Sequence, residues 1–154
     1  ESWLVGAGRW DIFKLYRGGV RQNWQCARAP ITTQIIEQLP HCGGWLGMVY
    51  FSVLQPGTYI KPHCGLTNGR IRYHLGIEVA DDLAWIEVAE QRRPWSNGRC
   101  MVFDDSFRHR VVHRGMKRRV VLIVDLWHPE LSPDERRILS ESGLATGFEA
   151  PFER

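Results

Sequence analysis

From Gly47 onward the chain is written as short runs of alternating apolar and polar residues broken by turn residues, and this pattern limits the fold more than any other feature. Successive side chains of a strand point to opposite faces, so alternation marks a half-buried strand, and several such runs between turn signals predict an all-β sandwich or barrel. Residues 48–54 form one run, ended by Pro56-Gly57. Residues 70–79 form a second, and 83–89 a third across an Asp81-Asp82 turn. Asn97-Gly98 is a hairpin signal leading into 100–103. Residues 109–112 and 118–127 supply two more, the latter almost continuously apolar through Val120-Val121-Leu122-Ile123-Val124. The strands stop at His128-Pro129, where Ser132-Pro133-Asp134-Glu135 has the form of a capping box opening a helix. Ahead of Gly47 the pattern is mixed. Residues 10–16 read as a short strand, and 33–39 as a helical segment with Ile35, Ile36 and Leu39 at helical spacing, ended by Pro40. Six or so strands between two helical pieces predict a mainly β, jelly-roll-like barrel with flanking helices.

The length of 154 residues suits one domain with a sizeable core, and no repeat or linker divides it. No apolar run is long enough to cross a bilayer, so no membrane segment is expected. A net charge of +3 with bases scattered among acids gives no nucleic-acid footprint. The densest basic run, Lys117-Arg118-Arg119, has the ordinary reading of a solvated strand end. Cys26, Cys42, Cys64 and Cys100 show neither a C-x-x-C pair nor a regular spacing, and so announce neither a zinc site nor a disulfide framework. The opening Glu1-Ser2-Trp3 has no initiator Met and no signal-peptide pattern, which fits a trimmed or processed chain.

The chemistry concentrates in Pro62-His63-Cys64-Gly65-Leu66-Thr67-Asn68-Gly69-Arg70-Ile71-Arg72-Tyr73-His74-Leu75-Gly76. Alternation places Arg70, Arg72, His74 and Gly76 on one face of a strand and Ile71, Tyr73, Leu75 and Ile77 on the other. Pattern alone fits an amphipathic strand with a solvated polar face. Against that reading, Arg119 shares a face with Val121 and Ile123, where a charge needs a buried anionic partner or a ligand. His63 and His109 each sit at a strand edge beside a turn, where a barrel mouth would place them. Two neutral imidazoles are good iron ligands that leave positions open for a chelating substrate and oxygen. The residues alone thus reach a metal pocket with arginines for an anion, and not a reaction.

At these positions the sequence resembles the aspartyl/asparaginyl β-hydroxylase family of iron- and 2-oxoglutarate-dependent oxygenases, which have a double-stranded β-helix (jelly roll) fold. The matching segments are Gly8-Arg9-Trp10-Asp11-Ile12-Phe13-Lys14-Leu15, Leu54-Gln55-Pro56-Gly57-Thr58, the His63 stretch, Phe103-Asp104-Asp105-Ser106-Phe107-Arg108-His109 and Val124-Asp125-Leu126-Trp127-His128-Pro129-Glu130-Leu131, in order along nearly the whole chain. The resemblance implies a single oxygenase domain over 1–154 that uses Fe(II), 2-oxoglutarate and O2. It makes His63 and His109 the iron ligands, and it gives Arg119 to the distal carboxylate of 2-oxoglutarate, a match of guanidinium fork to carboxylate. Ser52, Arg72 and His74 would help bind that co-substrate, and Trp10 and Arg70 would face the substrate.

Related oxygenases outside this family carry a third, carboxylate ligand two residues after the first histidine. Gly65 stands there, and the family resembled lacks that carboxylate. Asp104 and Asp105 are expected to serve a turn or to support the ligands. The implied reaction hydroxylates the β-carbon of an Asp- or Asn-like residue in a peptide, or of a small amino acid. Leu66 and Ile12 depart from residues common in peptide-hydroxylating relatives, and Thr33 stands near where those relatives have a cysteine that would partner Cys26. Two other readings are weighed: a two-histidine iron halogenase, with chloride in the position vacated at Gly65, and a barrel that binds without turnover.

Overall fold

The computed structural model describes residues 2–39, 47–79 and 83–141. A 3-10 turn, Ser2–Leu4, leads into β1 (Val5–Ala7), β2 (Trp10–Arg17) and β3 (Val20–Arg21), then two short helices, α1 (Asn23–Cys26) and α2 (Pro30–Ile36). Eight further strands follow: β4 (Met48–Leu54), β5 (Tyr59–His63), β6 (Arg70–Glu78), β7 (Ala84–Val88), β8 (Gln91–Pro94), β9 (Cys100–Phe103), β10 (His109–His113) and β11 (Arg119–Trp127). Helix α3 (Pro133–Glu141) comes last among the described residues. The strands form two antiparallel sheets, ordered β1-β5-β10-β7-β8 and β3-β2-β4-β11-β6-β9. This is the mainly β, jelly-roll architecture that the strand pattern predicts.

One core fills the space between the sheets, with Tyr50, Leu54, Ile60, Ile86, Trp95, Val121 and Ile123 among its buried residues. A second lies on the opposite face of the larger sheet, where Leu15, Val49, Leu122 and Val124 meet Cys26 of α1 and Ile36 of α2. The apolar run in β11 thus has a physical cause. The strand lies between β4 and β6 and buries Val121 and Ile123 on one face, Leu122 and Val124 on the other. A strand covered on both faces loses its alternation. At the start of α3, Ser132 and Glu135 form the predicted reciprocal cap: the Ser132 amide donates to Glu135 Oε2 at 2.8 Å, and the Glu135 amide donates to Ser132 Oγ at 3.3 Å.

Four expectations are corrected. The polar face of β6 is the inner face, not a solvated one: Arg70 and His74 are buried while Ile77 is exposed. The strands are more numerous than the alternation suggests, because β1, β3, β5 and β8 are short or carry polar residues that hide it. Asn97-Gly98 makes no hairpin. It lies on a crossover from β8 in the small sheet to β9 in the large one, where Asn97 grips Val79 through both backbone groups (2.6 and 2.9 Å) and the Gly98 amide donates to the Gly76 carbonyl. Helix α2 starts earlier than residue 33, and of the apolar residues at helical spacing only Ile36 is buried, Ile35 and Leu39 being exposed. Pro40, Cys42 and the Asp81-Asp82 turn lie outside the described residues. No described helix is long and apolar enough to cross a membrane.

Candidate active site

Antiparallel pairing of β5 with β10 sets His63 directly opposite His109, and the ring centroids stand 4.2 Å apart. Each ring is oriented by its own strand: His63 Nδ1 lies 2.8 Å from the Lys61 carbonyl, and His109 Nδ1 lies 2.9 Å from the Phe107 carbonyl. A carbonyl can only accept, so Nδ1 of each ring carries the proton and Nε2 carries the lone pair. Desolvation lowers the pKa of both imidazoles, that of His109 to about 4, so both are neutral at ordinary pH. A pair of adjacent neutral imidazoles with Nε2 lone pairs fits a divalent iron. Among the described residues, no group of three or more His, Cys, Asp or Glu side chains comes together as a metal cluster.

Gly65 and Asp105 meet at close range beside the two histidines. The Gly65 amide donates to the Asp105 carbonyl at 2.6 Å, and a Cβ on Gly65 would sit 2.6 Å from the Asp105 carboxyl carbon and both of its oxygens. The aspartate occupies the space that a side chain at position 65 would need. Burial pushes the Asp105 carboxyl up, but the guanidiniums of Arg72 and Arg70 outweigh it and hold the group below its ordinary value. Asp104 serves a turn, its Oδ1 accepting from the Ser106 amide at 2.8 Å.

The inner wall of the large sheet carries the other polar residues. Arg70 and Arg72 of β6 meet two buried carboxylates: Arg70 reaches Asp105 and Asp125 at 3.0 Å each, while Arg72 reaches Asp105 at 2.9 Å and grips Asp125 at 2.7 and 3.1 Å. Arg119 has a different environment. It is buried and stands 4.3 Å over the Trp95 ring, and its Nη1 makes long contacts to the Ser52 carbonyl and hydroxyl at 3.3 and 3.4 Å. Its Nε is buried with no hydrogen-bond partner, and burial lowers its pKa to about 9, so it remains charged at neutral pH. Nearby His74 Nδ1 takes the Trp95 indole N–H at 3.2 Å, while His74 Nε2 is likewise buried and without a partner.

Trp10 donates its indole N–H to Ser52 Oγ at 2.9 Å. Ser52 thus accepts from Trp10 and weakly from Arg119, which leaves its hydroxyl hydrogen to be donated elsewhere. Arg119 Nε and His74 Nε2 are thus buried without a partner, as is Asp105 Oδ1, and an unmet buried donor is costly. Two unmet donors at a buried guanidinium and an imidazole fit a carboxylate.

The structure therefore brings His63, His109, Ser52, Arg70, Arg72, His74, Trp10 and Arg119 onto the facing inner surfaces of the two sheets or their rim. Sequence reasoning missed Asp125 and Trp95. Asp125 had a signal, being a fully buried charge inside an apolar strand. Trp95 had none, since one tryptophan after Pro94 carries no pattern. Cys26 is a free, buried thiol whose Sγ lies 3.3 Å from the Leu15 carbonyl. A separate groove of about 510 Å³ lies on the outer face of the small sheet, lined by Tyr59, Trp85, Glu87 and Arg110 among others, and shares no residue with this interior site.

Comparison with known proteins adds four findings. Residues 3–129 match the family described as aspartyl/asparaginyl beta-hydroxylase. The chain is 39% identical over 133 residues to the human aspartyl/asparaginyl beta-hydroxylase, covering 86% of this chain and 18% of that protein. It is 40% identical over 147 residues to human aspartate beta-hydroxylase domain-containing protein 2, covering 90% of this chain and 40% of that protein. Among solved structures, the cupin domain of an XRE-family transcriptional regulator from Enterobacter cloacae superposes with a TM-score of 0.52 at 10% identity, over 77% of this chain and 97% of that one. At that identity the likeness speaks to the barrel fold alone.

Proposed function

This chain belongs to the aspartyl/asparaginyl β-hydroxylase family, and from that premise we propose that it is an iron(II)- and 2-oxoglutarate-dependent dioxygenase that hydroxylates the β-carbon of an Asp- or Asn-like residue in a peptide or of a small amino acid. The observation that carries the reading is the buried Arg119 with no carboxylate partner among the described residues, beside the unpartnered Nε2 of His74 and in contact with Ser52, on the wall facing two neutral histidines.

In this reading His63 and His109 hold the metal through Nε2, each ring kept in place by the carbonyl on its Nδ1. Arg119 and Ser52 hold the distal carboxylate of 2-oxoglutarate, and His74 donates from Nε2 to the same molecule. Arg72 supplies positive potential while its fork stays on Asp105 and Asp125. The metal, with 2-oxoglutarate and O2, supplies the oxidant that places one oxygen atom in a C–H bond as 2-oxoglutarate loses carbon dioxide to become succinate. The chain's own contribution is an apolar surround: Tyr50, Ile60, Val121 and Ile123 are buried in the core between the sheets, which lowers the dielectric in which the buried donors act. Arg70 at the start of β6 and Trp10 at the start of β2 are the residues assigned to the substrate side.

The Asp105 carboxylate beside Gly65 weighs against the halogenase reading, because it sets a negative charge against the place a chloride would fill. The experiment is incubation with Fe(II), ascorbate, 2-oxoglutarate and Asp- or Asn-bearing peptides and free amino acids, with succinate and product mass as readouts. Succinate formation together with gain of one oxygen, absent from a His63→Ala control, is the expected result. Gain of chlorine would establish the halogenase, and no succinate above the control would sink the catalytic reading.

A further inference from the structure

We propose that Trp95 is a positioning residue that presets two donors of the interior anion site, fixing the proton of His74 on Nε2 with its indole N–H and bracing the Arg119 guanidinium with its ring face. The consequence for binding rests on the 2-oxoglutarate reading, and the tautomer itself does not.

Trp95 is held firmly. It is 3% exposed, one residue past β8, at the head of the crossover between the two sheets. That crossover is fastened to β6 at a glycine: a Cβ on Gly76 would lie 2.1 Å from the Ser96 carbonyl oxygen, so only glycine lets the chain pass so close. The Gly76 amide donates to the Arg99 carbonyl at 3.1 Å, and the Gly98 amide returns a bond to Gly76 at 2.9 Å. Asn97, between them, grips both backbone groups of Val79. The indole is therefore located by backbone contacts on either side.

Its chemistry then decides that of His74. An indole N–H can only donate, so the His74 nitrogen 3.2 Å away must be an acceptor and cannot carry a hydrogen. The rings lie within 18° of parallel with centroids 5.9 Å apart, a separation that admits the 3.2 Å N–H···N bond. Phe103 meets the His74 ring edge-on at 4.9 Å and restrains it from another side. With Nδ1 occupied, the neutral ring carries its hydrogen on Nε2, the atom that is buried and unpartnered. The opposite tautomer would present a lone pair there and repel a carboxylate. The same indole places its face 4.3 Å from the Arg119 guanidinium carbon.

The test uses the metal-free full chain with 15N-labelled histidine and long-range 1H–15N spectra, which read the proton position on His74 directly. The expected wild-type signal is an unprotonated Nδ1 and a protonated Nε2. Trp95→Phe, and a benzothienylalanine at position 95 that keeps the bicyclic shape without the N–H, are expected to move proton population onto Nδ1 and to weaken calorimetric 2-oxoglutarate affinity of the Mn(II)-loaded protein by about tenfold, the scale of one hydrogen bond. A wild-type proton on Nδ1 overturns the proposal, as does an unchanged His74 signal in either variant, or a moved proton with unchanged affinity. If wild type binds no 2-oxoglutarate, it is the functional reading that fails, and the His74 signal still decides the role of Trp95.

Discussion

Arg70 and Arg72 of β6 and Arg119 of β11 lie on the same inner wall, on adjacent strands, yet they are in opposite electrostatic condition. The first two share Asp105 and Asp125, and burial of the Arg72 guanidinium is outweighed by Asp125 and its neighbours, so its pKa rises well above the ordinary value. Arg119 faces the Ser52 oxygens, the Trp95 ring and Tyr50 rather than a carboxylate, and burial lowers its pKa to about 9 although Tyr50 opposes the fall. The difference teaches where an exchangeable anion belongs. The β6 arginines are answered by carboxylates of the chain itself, while Arg119 is a buried cation with no carboxylate partner among the described residues, the kind of group that an anionic ligand would stabilise.

The sharpest way to break this contrast is to open the closed network. Asp125→Asn leaves Arg70 and Arg72 under-compensated in the interior, and a loss of about 3–5 kcal/mol is expected, read as the denaturation midpoint of the metal-free protein. Arg119→Leu should behave oppositely in the two states. Affinity for 2-oxoglutarate should fall on the order of 100-fold by calorimetry, while the ligand-free protein keeps or gains stability because a lone buried charge has been removed. A strongly destabilised Arg119→Leu would show that this arginine is structural and that the contrast is misread.

A third prediction concerns pH. Because His109 titrates at about 4 in the folded chain against an ordinary 6.5, the unfolded chain takes up a proton first as pH falls. Stability from this group is complete above 6.5 and is lost progressively down to about 4. The melting temperature of the metal-free protein should fall over that window, and His109→Gln should flatten the fall. The smallest effect is expected at the far end of the chain, where Ser132→Ala removes the α3 cap at a cost of about 1 kcal/mol without altering 2-oxoglutarate affinity.

Much of this arrangement is legible in the sequence, because strands encode their faces by alternation. The period of two sorted Arg70, Arg72 and His74 onto one side and aligned Arg119 with Val121 and Ile123. It could not say which side of β6 was dry, since that depends on the second sheet, and a polar inner face looks like a solvated one. The tethering of His63 and His109 to carbonyls two residues back is local, and the strand-edge positions hinted at it. The anion site is not local. Ser52 is oriented from β2, His74 from the crossover after β8, and no spacing rule links residues 10, 52, 74, 95 and 119. Asn97-Gly98 misled for a related reason: the dipeptide encodes a tight turn, and the sheets that the turn joins are settled by distant pairing.

The contact between Gly65 and Asp105 also limits how such a site can change over time. A side chain at position 65 requires Asp105 to move, and two arginines hold that aspartate in place, so the substitution is costly. Gly65→Asp alone is expected to destabilise the barrel mouth, and Asp105→Gly alone to leave Arg70 and Arg72 on Asp125 as their remaining carboxylate. The effects of changes at 65 and 105 are therefore expected to be non-additive, coupling neighbours that are forty residues apart in the chain.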